Sequence, residues 1–205
     1  MKLMKMLAAL LVFCVISSCS DAQEKTKSKN GTKILIVYLS RTNNTKAIAE
    51  IIHQKVGGDM VAIEMEKPYP ADYKATVAQV SNENESGFLP ILKTKIENID
   101  EYGVVFVGFP TWGMALPPPM KSFLRQYNLK GKTIVPFNTN AGYGIGSTFE
   151  TVKALCPESN VLDGFSIKGG VEKDGVLLAI QGGARTTAEK EVTKWLEKID
   201  IQIKQ

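Results

Sequence analysis

Five short apolar runs recur along this chain, at Ile34–Leu39, Val61–Met65, Val104–Phe109, Thr133–Asn138 and Val161–Ile167, all rich in Val, Ile and Phe. A strand that is apolar on successive residues has no side to offer to water. Such strands belong to a sheet covered on both faces, and that means parallel strands joined by helical crossovers. Helical segments do separate the runs. Thr45–Val56 places Ile48, Ile51, Ile52 and Val56 on one face, and Met120–Tyr127 follows Pro117-Pro118-Pro119, where proline is tolerated in a first turn. Ser147–Leu155 follows a glycine-rich loop. A last helix carries a capping box at Thr186-Thr187-Ala188-Glu189 and a stripe of Ala188, Val192, Trp195, Leu196 and Ile199. The order βαβαβαβαβα predicts an α/β, doubly wound open sheet. Two stretches exceed a minimal version. Pro68–Glu97 is predicted to hold a helix around Asp72–Val80, and Gly169–Arg185 to add a hairpin or edge strand at Val176–Ile180.

The N-terminus is a different kind of segment. Lys2 and Lys5 precede the apolar run Met6–Ile16 and the small residues Ser17-Ser18, the layout of a secretory signal too short for a permanent span. Ile16-Ser17-Ser18-Cys19 resembles a bacterial lipobox. That resemblance implies cleavage before Cys19 and acyl chains on it, enough for stable anchoring to a membrane of the cell envelope. The expected division is therefore a signal at 1–18, a polar flexible tether at 19–31 and one domain at 32–205. The formal charge of +4 falls to +2 once Lys2 and Lys5 are removed, and no dense basic run suggests nucleic acid. Of Cys14, Cys19 and Cys156 only the last lies in the domain, so no internal disulfide is expected there, and it reads as a buried small hydrophobe. The single histidine, His53, has no Cys or acidic cluster beside it, which argues against a metal centre or a serine triad.

In doubly wound sheets ligands bind beyond the carboxyl ends of the strands. Three loops of unusual composition occupy such ends. Ser40-Arg41-Thr42-Asn43-Asn44-Thr45 joins the first strand to the first helix with three hydroxyls and two amides. A helix N-terminus carries unpaired N–H groups and favours an anion, so this loop is a candidate phosphate site. The alternative is a capped helix, with Asn43 or Asn44 as the cap. No Gly-Lys-Ser/Thr follows, so a nucleotide P-loop is excluded. The second loop, Pro110-Thr111-Trp112-Gly113 through Pro119, sets an indole on a proline-bounded turn. It is either a stacking platform for a flat ring or a core residue. The third, Asn138-Thr139-Asn140-Ala141-Gly142 through Ser147, lets backbone approach a ligand closely. Its GxGxG spacing after the fourth strand is no dinucleotide fingerprint.

A phosphate site, an aromatic platform and a close backbone loop together describe a mononucleotide with a planar ring. From Lys33 to Pro157 the chain resembles the flavodoxin family, in particular its short single-domain bacterial members. The likeness is carried by Tyr38–Thr42, Pro68–Tyr73, Glu101–Trp112, Phe123-Leu124, Gly131–Phe137 and Lys194-Trp195-Leu196. The resemblance implies a five-stranded parallel sheet in the order 2-1-3-4-5, with FMN at the tips of strands 1, 3 and 4. By position, Ser40, Thr42, Asn44 and Thr45, with Arg41 and Asn43 in the same loop, would hold the phosphate. Pro110, Thr111, Trp112 and Gly113 would flank the ring, and Asn138, Thr139, Asn140, Ala141 and Gly142 would line its other edge. The family usually has glycine where this chain has Asn43, and asparagine is the next most tolerant residue if the loop needs φ > 0.

No acid–base dyad or activated nucleophile is visible, so the cofactor would carry the chemistry. The expected roles are electron transfer, or passage of hydride from NAD(P)H to a quinone-like acceptor. Electron-carrying flavodoxins are usually strongly acidic, and a mature charge of +2 points away from that role. The rival from another class is a non-enzymatic lipoprotein that binds a flavin or another phospho-ligand.

Overall fold

A computed structural model describes residues 32–202. The predicted signal, Cys19 and the tether lie outside the described residues, as do the last three positions. Six strands and five helices alternate: β1 (Lys33–Tyr38), α1 (Asn44–Val56), β2 (Asp59–Ala62), α2 (Tyr73–Ser86), β3 (Tyr102–Pro110), α3 (Pro118–Gln126), β4 (Thr133–Asn140), α4 (Thr148–Leu155), β5 (Asn160–Val161), β6 (Phe165–Lys168) and α5 (Gly182–Lys198). The sheet is parallel throughout and ordered β2-β1-β3-β4-β5, with β6 also on β4. This is the expected doubly wound α/β architecture in the order 2-1-3-4-5.

Alternation along the central strands divides the core in two. Ile36, Phe106, Val135 and Phe137 pack with Ile48, Ile51 and Ile52 of α1 and Val192, Trp195 and Leu196 of α5. Leu35, Val37, Val105, Val107 and Phe109 pack with Met120 and Phe123 of α3 and Val152 of α4. Cys156 is buried in the second layer, as expected of it. Both faces of β1, β3 and β4 are covered, which is why these strands read as unbroken apolar runs.

Four expectations need correction. The strand predicted at Val61–Met65 begins at Asp59 and ends at Ala62. Beyond Ile63 the chain leaves β1 and pairs antiparallel with a later segment, Glu66 N–H donating to Ile91 O at 3.0 Å and Lys93 N–H to Glu64 O at 2.8 Å. The single strand predicted at Val161–Ile167 is two fragments flanking Leu162–Gly164. Trp195 Nε1 donates to Asp163 O at 2.9 Å, and Gly164 lies so close to Phe149 that a Cβ would sit 2.5 Å from its ring. Trp195 of α5, 32 positions away, and Phe149 of α4 thus hold the chain between the two fragments, and their registers on β4 differ by one residue. The last helix starts at Gly182 with Gln181 as its cap, so the predicted box falls inside it. Thr186, its predicted cap, is a helix-interior residue, and the neighbouring Thr187 Oγ1 donates back to Gly183 O at 3.2 Å. Finally, Val176–Ile180 is not an edge strand. A single antiparallel bridge, Val171 to Val176, closes a turn over Glu172–Asp174.

Candidate functional site

The first helix enters through Asn43, whose φ of 63° and ψ of 2° place it in the left-handed region. The loop thus needs the backbone that glycine or asparagine supplies most cheaply. Asn43 occupies the N-cap position of α1, as one of the two expected residues, but its side chain does no capping. Ser40 Oγ accepts from Lys46 N–H at 3.2 Å. The amides of Thr42, Asn43, Asn44 and Thr45 meet no acceptor among the described residues. The first backbone bond into the helix is Ala47 N–H to Asn43 O at 2.9 Å. The loop tip is therefore a row of unsatisfied donors at the positive end of a helix dipole.

The side chains sort into two groups. Ser40 Oγ and Thr42 Oγ1 each accept a bond, the latter from Asn44 Nδ2 at 2.9 Å, and each keeps its proton to donate. Thr45 Oγ1 of α1 and Thr139 Oγ1 of β4 lie 2.8 Å apart on the floor of the site, sharing one proton and leaving another. Asn44 and Arg41 are otherwise committed. Buried Asn44 accepts from Ala179 N–H at 2.9 Å and Ile180 N–H at 3.2 Å, and donates to Leu177 O at 2.6 Å. Arg41 places each guanidinium nitrogen on protein, Nε on Glu172, Nη1 on Pro70 O at 2.9 Å and Nη2 on Ala71 O at 2.7 Å, and keeps a second N–H on each Nη.

The second loop is a tight hairpin. Trp112 and Ala115 exchange both backbone bonds, at 3.2 and 3.0 Å, around Gly113 and Met114. These have φ of 56° and 58°, the double positive pair of a type I′ turn. Trp112 is half-buried against the α3–α4 layer and stands edge-on to Tyr69, with centroids 5.3 Å apart at 87°. Tyr69 donates to the buried carboxylate of Glu83, and burial together with that bond pushes its hydroxyl pKa up. The indole is thus propped from behind by a fixed phenol.

The third loop is braced against the second. Thr111 N–H donates to Thr139 O at 3.0 Å, Thr111 Oγ1 to Gly144 O at 3.1 Å, and Ser147 N–H to Met114 O at 3.0 Å. Gly146, at φ 55°, comes so near Met114 that a Cβ would lie 2.0 Å from its carbonyl oxygen. Asn138 is fully buried and ties the floor, with Nδ2 to Phe109 O at 3.1 Å and Thr111 Oγ1 at 3.0 Å. Asn140 Oδ1 accepts from Gly142 N–H at 2.8 Å, shaping the turn that Ala141 starts.

These loops converge on a polar hollow of about 120 Å³. Arg41, Thr42, Asn44, Thr45, Pro110, Thr111, Trp112, Thr139, Asn140 and Ala141 line it. Ser40, Asn43, Gly113, Asn138 and Gly142 lie outside its wall, as supports. Sequence reasoning missed four other members: Tyr73 from α2, and Gly169, Gly170 and Glu172 beyond β6. The available signal was the Gly169-Gly170 pair at a further strand end. A second depression of about 440 Å³ shares Arg41, Tyr73, Thr111, Trp112 and Glu172 with the hollow and continues along α2. Donor amides, free hydroxyl protons and an adjoining indole fit a phosphate-bearing mononucleotide with a planar ring. Since the hollow alone is small, the ring of such a ligand must extend towards the depression beside Trp112.

Comparison with known proteins agrees with this geometry. Residues 33–182 match the family described as Flavodoxin. A curated flavodoxin of Synechocystis is 24% identical over 131 residues, covering 62% of this chain, and the chain spans 63% of that relative's length. A protein of Bacteroides eggerthii assigned as a flavoprotein superposes with a TM-score of 0.68 at 32% identity, over 83% of this chain and 99% of its own. A flavoprotein of Lactobacillus acidophilus, solved in complex with FMN, gives a TM-score of 0.58 at 22% identity, over 71% of this chain and 98% of its own. With a family match across most of the described domain and a site built at the tips of β1, β3 and β4, the chain belongs to the flavodoxin family.

Proposed function

We propose that this chain binds FMN and acts as a redox protein. The observation that carries the reading is the row of four unbonded amides, Thr42 to Thr45, at the mouth of a polar hollow walled by Trp112. The phosphate is held by those amides and by the hydroxyl proton of Thr42, while Ser40 Oγ braces the loop from behind as the acceptor of Lys46 N–H. Pro110, Thr111 and Trp112 flank the ring, and Thr139, Asn140 and Ala141 border its other edge. FMN supplies one- and two-electron chemistry that no side chain of the site provides. The protein's own part is to bind, to orient and to set the local charge, which the Arg41–Glu172 pair keeps close to neutral. The FMN complex of the Lactobacillus acidophilus flavoprotein supports this choice of ligand. Whether the protein carries electrons or reduces a small acceptor with NAD(P)H is decided by turnover with each class. Purified full-length chain titrated with FMN should turn yellow and lose tryptophan fluorescence. A colourless protein with unquenched fluorescence overturns the reading.

We propose in addition that the chain is exported and held to a membrane of the cell envelope through acylated Cys19, on the strength of its lipobox-like sequence. In a bacterial host, Cys19→Ser should move the protein from the membrane fraction to the soluble one.

A further inference from the structure

We propose that a groove between α1 and α5 is a binding site for a short aliphatic carboxylate. The groove, of about 330 Å³, shares no residue with the polar hollow or with the depression beside Trp112. Its volume lies at the small end of the range for small-molecule sites. Lys46, Ala47 and Glu50 line it from α1, Arg185 from α5, and Leu178 and Ile180 from the chain leading into α5.

The apolar part of the wall is buried and fixed. Ala47 and Ile180 belong to the core beneath it. Asn44 Oδ1 accepts from Ala179 N–H at 2.9 Å and Ile180 N–H at 3.2 Å, and Gln181 Nε2 donates to Leu178 O at 3.1 Å. The segment that offers Leu178 and Ile180 is therefore held in place before a ligand arrives, which lowers the cost of binding one.

The polar part is rich in donors. Half-buried Arg185 reaches Glu50 through Nη1 at 3.1 Å, and its Nε lies 3.5 Å from Glu189, which stands outside the wall. Nη2 keeps both of its N–H groups and Nη1 a second one, so the outer edge of the guanidinium is an open two-pronged donor of the kind that fits a carboxylate. The Lys46 ammonium makes no hydrogen bond or ion pair among the described residues. Its neighbour one helical turn on is Glu50, whose carboxylate is turned to Arg185 instead. Two cations and one carboxylate thus line the groove. That balance suits a single negative charge, whereas a phosphate dianion would be repelled by Glu50. A carboxylate on Lys46 and Arg185, with its hydrocarbon tail over Ala47, Leu178 and Ile180, satisfies both parts at once.

The proposal does not rest on FMN binding. Isotope-labelled full chain is titrated with hexanoate, acetate and inorganic phosphate, with and without FMN, and followed by amide chemical shifts. Hexanoate should shift amides at 46–50 and 178–185 saturably, alike in both states, and about fivefold more tightly than acetate or phosphate. Lys46→Gln and Arg185→Lys should each weaken hexanoate about fivefold. The first removes a side chain that bonds to nothing in the fold, and the second keeps the charge facing Glu50 but not the fork. Absence of saturable shifts, acetate or phosphate bound as tightly as hexanoate, or variants that bind as the parent does would each overturn the proposal. So would shifts confined to 42–45 that FMN abolishes, which would place the anion in the polar hollow.

Discussion

Arg41 and Glu172, 131 positions apart, meet side by side, with Arg41 Nε 2.8 Å from one carboxylate oxygen and 3.0 Å from the other. The pair joins the loop after β1 to the turn beyond β6 and neutralises the one cation in the wall of the hollow. Removing the carboxylate charge exposes that cation to an incoming phosphate. Glu172→Gln should therefore tighten FMN binding about fivefold, roughly 1 kcal/mol, with the gain shrinking at high salt. Fluorescence titrations at two ionic strengths check this, and unchanged or weaker binding would count against it.

Asn44 acts as a tie rather than a ligand. Asn44→Ala strips the acceptor from Ala179 N–H and Ile180 N–H in a buried setting, a cost of about 2–4 kcal/mol. Urea unfolding should show that loss. Hydrogen exchange should speed up at residues 176–181 in particular, and uniform exchange across the domain would contradict the assignment.

Asn43 tests the loop backbone. Asn43→Gly keeps the left-handed conformation and removes no bond, so FMN affinity should be unchanged. Asn43→Val must strain at φ 63° and should cost about 1–2 kcal/mol of stability. Thermal unfolding of the two variants distinguishes these outcomes.

The central sheet was legible because β1, β3 and β4 are buried on both faces, and burial writes itself locally as consecutive Val, Ile and Phe. The split of the last strand was not, since it goes with contacts from elsewhere in the chain, the Trp195 bond to the Asp163 carbonyl and Phe149 against Gly164. The segment after β6 was illegible for the same reason. It has almost no ladder of its own and takes its shape from Asn44 and Arg41, residues of the first loop. The site shows the same division. Strand-tip loops announce themselves through glycine, hydroxyl and amide content, so Thr42, Trp112 and Thr139 could be picked. Glu172 and Tyr73 come from ordinary helical and turn sequence, and only the fold brings them to the hollow.

Tyr69 provides a check on how Trp112 is held. Tyr69→Phe deletes the bond to Glu83 and leaves that buried carboxylate short of a donor, with Gln79 Nε2 remaining at 2.8 Å. A loss of about 1–3 kcal/mol is expected, with a red shift of the Trp112 emission in a Trp195→Phe background. An unmoved spectrum would show that the indole needs no prop.

Cys156 offers a pH handle. Burial pushes its thiol up to about 11 from an ordinary 9.0. The neutral thiol's contribution is complete below about pH 9 and is lost as pH rises towards 11, because the unfolded chain gives up its proton first. The stability of the parent should thus fall more steeply over that window than that of Cys156→Ala. Alkylation mapped to the Cys156 peptide should be negligible in the native protein at neutral pH.

Both fragments of the last strand hang on β4, and the residues beyond them reach back across 131 positions to close the hollow over the first loop. In the order of synthesis, the loop after β1 is among the first parts of the domain to emerge and its covering wall among the last. A chain still emerging can assemble most of its sheet but has no finished pocket. Cofactor capture therefore reports a completed fold, and the compartment in which the chain finishes folding is the one that must supply the cofactor.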